Sequence, residues 1–330
     1  MQDDLRTRVR VVSASPPGIL LAAAAATISG VSVWVNAYGV TQIPDAILYT
    51  TLKNIVAAGV LLVLLMNVRR SSRTPAQQTS ALPTGIRGLN VGQLAGLVVV
   101  GVFGGGVAFI LFFSGLALAT AASAAFIQKT LFIWVALLAV PLLGERLGRI
   151  QVAALGVLLL GQILLSPPRP FGWGTGETMI ALATLIWASE VIVARRLLRS
   201  VAPTTLGLTR IGVGLVVLVL ATVVGGHAIG LTSIAPGGWG LIVLTGCLLA
   251  AYVATWFAAL QRAPATVVTS VLVGGAIITA ALQALTAGRA PDPTAIAGAC
   301  FVVAALTVAI RQAMRTAAHR GGAATNGMAA

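Results

Sequence analysis

Five ionisable side chains stand inside otherwise apolar stretches of the sequence: Lys53, Lys129, Arg210, Glu190 and Glu177. A charge at the centre of a membrane span costs roughly 2.5–3.5 kcal/mol on insertion scales, so each residue needs a reason to be there. Glu177 begins its stretch, where a carboxylate suits a helix N-terminus. Lys53 and Lys129 lie about eight and nine residues from the same end of their stretches, hence roughly 12 and 14 Å deep. Two ammonium groups at one depth repel unless they are separated or share an anion. They are expected to form a central cationic site for the carboxylate or phosphate of a small molecule. In the alternative, carbonyls and the neighbouring Asn54, Gln128 or Thr130 satisfy each lysine, which then only ties helices together. Arg210 and Glu190, roughly 10 and 6 Å deep from the other end, suit an ion pair between neighbouring helices, which offsets part of their desolvation. A sharper alternative makes Glu190 a proton-coupling carboxylate that Arg210 alternately holds and releases.

Other chemistries lack their residues. There is no nucleophile–base set and no Gly-x-x-x-x-Gly-Lys-Ser/Thr phosphate loop. The run Gly172-Trp-Gly174-Thr-Gly176-Glu has no strand before it and reads as a turn. His227 and His319 are expected to be solvated, and Cys247 and Cys300 to be small buried hydrophobes. No catalytic residue, metal or cofactor is expected. Trp34 and Trp187 hold comparable positions in their stretches, and Tyr252 and Trp256 share a helix face at i, i+4. Trp34, Trp187 and Tyr252 are therefore candidates to touch a bound solute, with packing as the alternative role for such aromatics, and Arg210 joins the two lysines as a further candidate substrate-binding residue. Gly101, Gly104, Gly105 and Gly106, and the pair Gly274-Gly275, suit either hinges or close helix contacts.

The elements that must position these residues follow from composition. Of 330 residues, 58% are hydrophobic and 8% charged, and the mean hydropathy is +0.99. A soluble domain carries roughly 25% charged residues, so a water-soluble enzyme is excluded and an all-α polytopic membrane protein remains. The formal net charge of +14 is spread between apolar runs instead of clustering on one face, which argues against nucleic acid as a partner. Ten runs can span a bilayer, near 17–37, 44–67, 91–115, 120–143, 150–166, 174–194, 204–224, 238–260, 264–287 and 293–311. With the N-terminus inside, 16 Lys/Arg fall in cytoplasmic segments and 2, Arg169 and Arg289, in outer loops. The positive-inside rule then places both termini in the cytoplasm.

Ten spans divide into two fives. A shift of 144 residues lays Phe112 and Phe113 on Trp256 and Phe257, Leu116 on Leu260 and Gly144 on Gly288, while Lys53 has Arg210 as its counterpart. Five is odd, so the second copy is inverted across the membrane, the arrangement of many secondary transporters. The stretch from Ala121 to Leu165, with Gly144-Glu145-Arg146, Gln151, Gly156 and Gly161, resembles the signature of the EamA-type branch of the drug/metabolite transporter superfamily. The second half, with ALATLIWASEVIVARRLL, Pro203 and Arg210, is similar in style. The sequence departs from that pattern at Lys53, where the family often has Arg, at Gly288-Arg289 in place of Gly-Glu, and in the prolines of the fourth and ninth spans. The resemblance implies a cytoplasmic N-terminal tail over 1–16, repeats over 17–166 and 173–311, and a disordered cytoplasmic tail over 312–330. It implies transport of small metabolites or drugs, usually outward, by alternating access. Amino acids or organic anions are the expected cargo, with proton coupling, in the plasma membrane of a bacterium, by a monomer or homodimer. A membrane-embedded receptor or structural subunit with the same fold but no transport is the alternative.

Overall fold

In hydrocarbon every backbone N–H and C=O must be satisfied within its own segment, so each apolar run is driven to form a helix. The computed structural model describes residues 14–43, 45–71, 88–165, 173–288 and 290–326. The helices in order are α1 (Pro16–Gln42), α2 (Ala46–Ser71), α3 (Val91–Leu118), α4 (Ala121–Lys129 and Leu131–Leu143) and α5 (Arg149–Leu165), then α6 (Thr175–Leu197), α7 (Pro203–Val224), α8 (Pro236–Arg262), α9 (Ala265–Val273 and Gly275–Thr286) and α10 (Pro293–Asn326). Nine of them are long and apolar enough to cross a bilayer, and α5, at 17 residues, is the short member. The chain belongs in a membrane as a multi-pass protein.

Helix starts carry the expected local chemistry. Proline opens α1, α7, α8 and α10, where its missing N–H is no loss. Ser15 caps α1 by accepting from Gly18 N, and Asn90 and Gln93 form a reciprocal capping box on α3. The last helix does not stop near residue 311. It continues to Asn326, through a segment that was expected to be disordered; the run RQAMRTAAH has no proline and is rich in good helix formers.

The two repeats are visible in the backbone. Helix α4 breaks at Thr130, where Thr130 N donates to Ile127 O and Ile133 N to Thr130 O. Helix α9 breaks 144 residues later at Gly274, with Gly274 N donating to Val271 O and Ile277 N to Gly274 O. Both helices end on a left-handed glycine, Gly144 at φ 67° and Gly288 at φ 61°. Packing obeys the same exchange. Helix α1 lies on α8 and α9 as α6 lies on α3 and α4, and α2 packs on α8 as α7 packs on α3. The pairs α2–α7, α4–α9 and α5–α10 each map onto themselves. The fold is thus two inverted five-helix repeats, and ten helices in succession bring the start of α1 and the end of α10 to one face, called here the terminal face.

Close helix contacts depend on bare backbone. A Cβ on Gly105 of α3 would strike the Arg210 carbonyl, and one on Gly246 of α8 would meet the Lys53 carbonyl at 2.8 Å. Each cation-bearing helix, α2 and α7, is thus approached at its cation by a glycine of the opposite half. Helices α5 and α10 approach through Gly161 and Gly298 and share a small apolar cluster that includes Leu158 and Val302.

A candidate substrate cavity between the two halves

Eight helices, α1 to α4 and α6 to α9, surround a cavity of about 140 Å³ to which α5 and α10 contribute nothing. Its charged lining residues are Lys53, Lys129, Arg210 and Glu190. All four are buried, with 2%, 5%, 7% and 8% of their surfaces exposed.

The Lys53 ammonium donates to Asn36 Oδ1 at 2.8 Å, and that oxygen also accepts from Tyr49 Oη at 2.9 Å. Aromatic faces complete the environment of the ammonium. Its Nζ sits 3.5 Å from the centroid of Phe113, 5.1 Å from Tyr49 and 5.8 Å from Phe109. A desolvated cation–π contact of this kind contributes about 2 kcal/mol, which offsets part of the cost of burying the ammonium. Lys129 ends the first piece of α4 and, among the described residues, reaches only Ser29 Oγ, at 3.5 Å. Ser29, Ser32 and Asn36 form a polar stripe on one face of α1 at i, i+3 and i+7, and the two lysines meet opposite ends of it.

The second repeat treats its cation differently. Arg210 Nε donates to Glu190 Oε1 at 2.5 Å and Nη2 to Glu190 Oε2 at 3.1 Å. Arg210 Nη2 also donates to Gly104 O at 3.0 Å, which accepts from Trp187 Nε1 at 3.0 Å as well. Gly104 lies in a π-helical stretch, Val100–Val107, a rare widened turn often found at functional sites. The Glu190 carboxylate rests where a Cβ of residue 104 would stand. Arg210 Nη1 has no hydrogen-bond partner among the described residues. Lys53 with Asn36 and Arg210 with Glu190 thus occupy corresponding places, but an amide stands where the other half has a carboxylate.

Aromatic rings supply much of the remaining wall. Trp187 lies 5.7 Å from Phe109 and 5.3 Å from Phe112, and Tyr252 stacks on Trp256 at 5.8 Å and 20°. Of the aromatic residues singled out from sequence, Trp187 and Tyr252 line the cavity and Trp34 does not. Trp34 sits on α1 two positions from Asn36, so the two cannot share a helix face. The glycines at 104, 105, 106 and 275 make close contacts with neighbouring helices, Gly275 against α1 and the other three against α6 and α7, while Gly274 marks the break in α9.

The cavity is open on one side. Leu116, Ala124 and Gln283 line it towards the face opposite the termini, and Gln283 is exposed. Their repeat counterparts, Leu260, Val268 and Ala139, are all 0% exposed and lie outside the lining. The terminal face is closed by bonds between the halves. Glu145 accepts from Ala265 N at 2.7 Å, Thr266 N at 3.1 Å and Thr266 Oγ1 at 2.6 Å, so it caps the start of α9 from the α4–α5 turn. Arg196 Nη2 donates to Leu142 O at 2.7 Å, and Ser15 Oγ to Arg262 O at 3.1 Å. The Glu145 carboxylate thus reaches 120 residues along the chain.

Two further expectations change. His227, expected to be solvated, is held by Asp45 at 2.6 Å, which ties the α7–α8 loop to the start of α2. Cys247 and Cys300 are exposed on the outside of the bundle; hydrocarbon and protein interior are equally apolar, so hydropathy does not distinguish them. Gly172, Arg169 and Arg289 lie outside the described residues.

A cavity at the junction of two inverted repeats, walled by membrane helices and lined by a few buried charges, defines a membrane protein of the secondary-transporter architecture. The EamA-like transporter family matches residues 16–166 and 174–311. The chain belongs to that family, within the drug/metabolite transporter superfamily. No curated protein matches it. A solved structure titled only "Crystal structure of protein" is similar, with a TM-score of 0.69 at 20% identity, covering 91% of this chain and 98% of that one. At that identity the likeness concerns the fold alone.

Proposed function

We propose that this protein is a secondary transporter that exports small organic anions across the bacterial plasma membrane by alternating access, with both termini in the cytoplasm. The observation that carries this reading is the half-open cavity, with three buried cations and one carboxylate. The positive-inside count assigns the terminal face to the cytoplasm, so the closed side is cytoplasmic and the open side external. The cycle requires a second state in which the Glu145 contacts part and the outer ends of α4 and α9 close. Gly274, Gly275 and the π-helical run around Gly104, Gly105 and Gly106 are the bending points, because a helix yields where its ladder of hydrogen bonds is already interrupted. In this scheme Lys53 and Lys129 hold the anionic group, Trp187 and Tyr252 touch the rest of the solute, and Glu190 accepts a coupling proton when Arg210 releases it.

The test is solute counterflow in proteoliposomes, with an organic-anion and amino-acid panel and with or without an imposed pH gradient. Exchange that is lost in Lys129→Gln at normal expression supports the scheme. Exchange that survives unchanged in both Lys53→Gln and Lys129→Gln removes the lysines from it.

A further inference from the structure

We infer that the cavity selects aromatic carboxylates that carry no amino group; this rests on reading the cavity as the transported solute's site. Three observations carry it. The first is charge. Among the lining residues, Glu190 is the single acid, and Arg210 occupies both its oxygens. Lys53 and Lys129 have one neutral oxygen partner each, Asn36 and Ser29. The cavity therefore has an uncompensated positive charge and no free acceptor of formal charge. A carboxylate entering it gains an ammonium partner. The ammonium of an amino acid would be buried beside two like charges with no anion to meet it, and an unpaired buried charge is strongly disfavoured.

The second observation is the wall. Phe112 and Trp187 on one pair of helices, and Tyr252 and Trp256 on α8, line the space with ring surfaces. A planar apolar body stacks on such rings for about 0.5–1.5 kcal/mol beyond its buried area, whereas a short aliphatic acid does not. The third is size. The volume of about 140 Å³ is close to the roughly 150 Å³ that accommodates one benzene ring in an engineered cavity. A single ring fits, with its acidic arm directed to the polar stripe of α1 between the two lysines.

A matched pair tests the inference, because phenylpyruvate and phenylalanine share ring and carboxylate and differ at the amino group. Binding is read by quenching of tryptophan fluorescence in nanodiscs, with glutarate as an anion that lacks a ring, and exchange by counterflow. Phenylpyruvate is expected to bind at least tenfold more tightly than phenylalanine or glutarate. Lys129→Gln should weaken phenylpyruvate at least tenfold, and Lys129→Arg should restore most of the loss. Phenylalanine binding as tightly as phenylpyruvate overturns the charge argument, and glutarate doing so overturns the aromatic one. Binding of none of the three overturns the substrate class as a whole. Counterflow of phenylalanine in preference to phenylpyruvate would sink this inference and leave transport standing. Tight phenylpyruvate binding without counterflow would do the reverse.

Discussion

Replacing Glu145 by glutamine should tilt the protein towards opening at its terminal face. The carboxylate accepts three hydrogen bonds at the start of α9, two of them from backbone N–H groups. A glutamine keeps the shape and one acceptor oxygen but turns an –NH2 donor towards an N–H donor. It also removes the negative charge from the helix N-terminus. One charge-assisted bond is worth about 1.5–3 kcal/mol net, and the charge–dipole interaction about 0.3–1 kcal/mol. A loss of about 2–3 kcal/mol from the closed arrangement shifts the balance of the two states by about 30- to 160-fold. The readout is cysteine accessibility in a background without Cys247 and Cys300. Leu260→Cys, now 0% exposed, should be labelled at least tenfold faster from the terminal face in the Glu145→Gln protein. Leu116→Cys should be labelled more slowly from the other face. Equal rates at both reporters, in a protein that remains folded, would refute the idea that this cap holds the cavity shut.

Other outcomes follow from the same geometry. Glu190→Gln leaves Arg210 buried without its counter-ion and should cost about 3–5 kcal/mol, seen as a lower melting temperature in detergent. The double change Glu190→Gln with Arg210→Met should recover most of that loss, and transport by Glu190→Gln should no longer respond to an imposed pH gradient. Gly105→Ala pushes a methyl group into the Arg210 carbonyl and should destabilise by about 1–3 kcal/mol, measurable by thermal unfolding, whereas Gly156→Ala, with open space around it, should be silent. Asp45→Asn removes the charge that holds His227 and should speed hydrogen exchange over residues 226–233 without changing that of α5 or α10.

The spans were legible because twenty apolar residues in a row have few other uses, and the repeat was legible because Gly144 and Gly288 close corresponding helices. The direction each residue faces was not. In water a helix advertises its buried side by alternating polar and apolar residues; in lipid both sides are apolar, so Trp34 looked equivalent to Trp187, and Cys247 looked buried. The polar stripe of Ser29, Ser32 and Asn36 was a readable exception, since polar residues in a span face the interior, and it would have led to the partners of both lysines. Contacts such as Glu145 with Thr266 or His227 with Asp45 join residues 121 and 182 positions apart. No local pattern encodes such a pairing. The break at Thr130 was equally silent, because threonine seldom interrupts a helix unless its hydroxyl bonds back, as it does here to Ile127 O at 2.7 Å.

The pairing of α5 with α10 stands apart from all of this. These two helices hold each other through Gly161 and Gly298 and contribute no wall to the central chamber. They form an outrigger beside the eight helices that wall the chamber. Engineering can use that separation: a fused domain, a surface charge or a stabilising substitution placed on this flank leaves every residue of the chamber's lining in place.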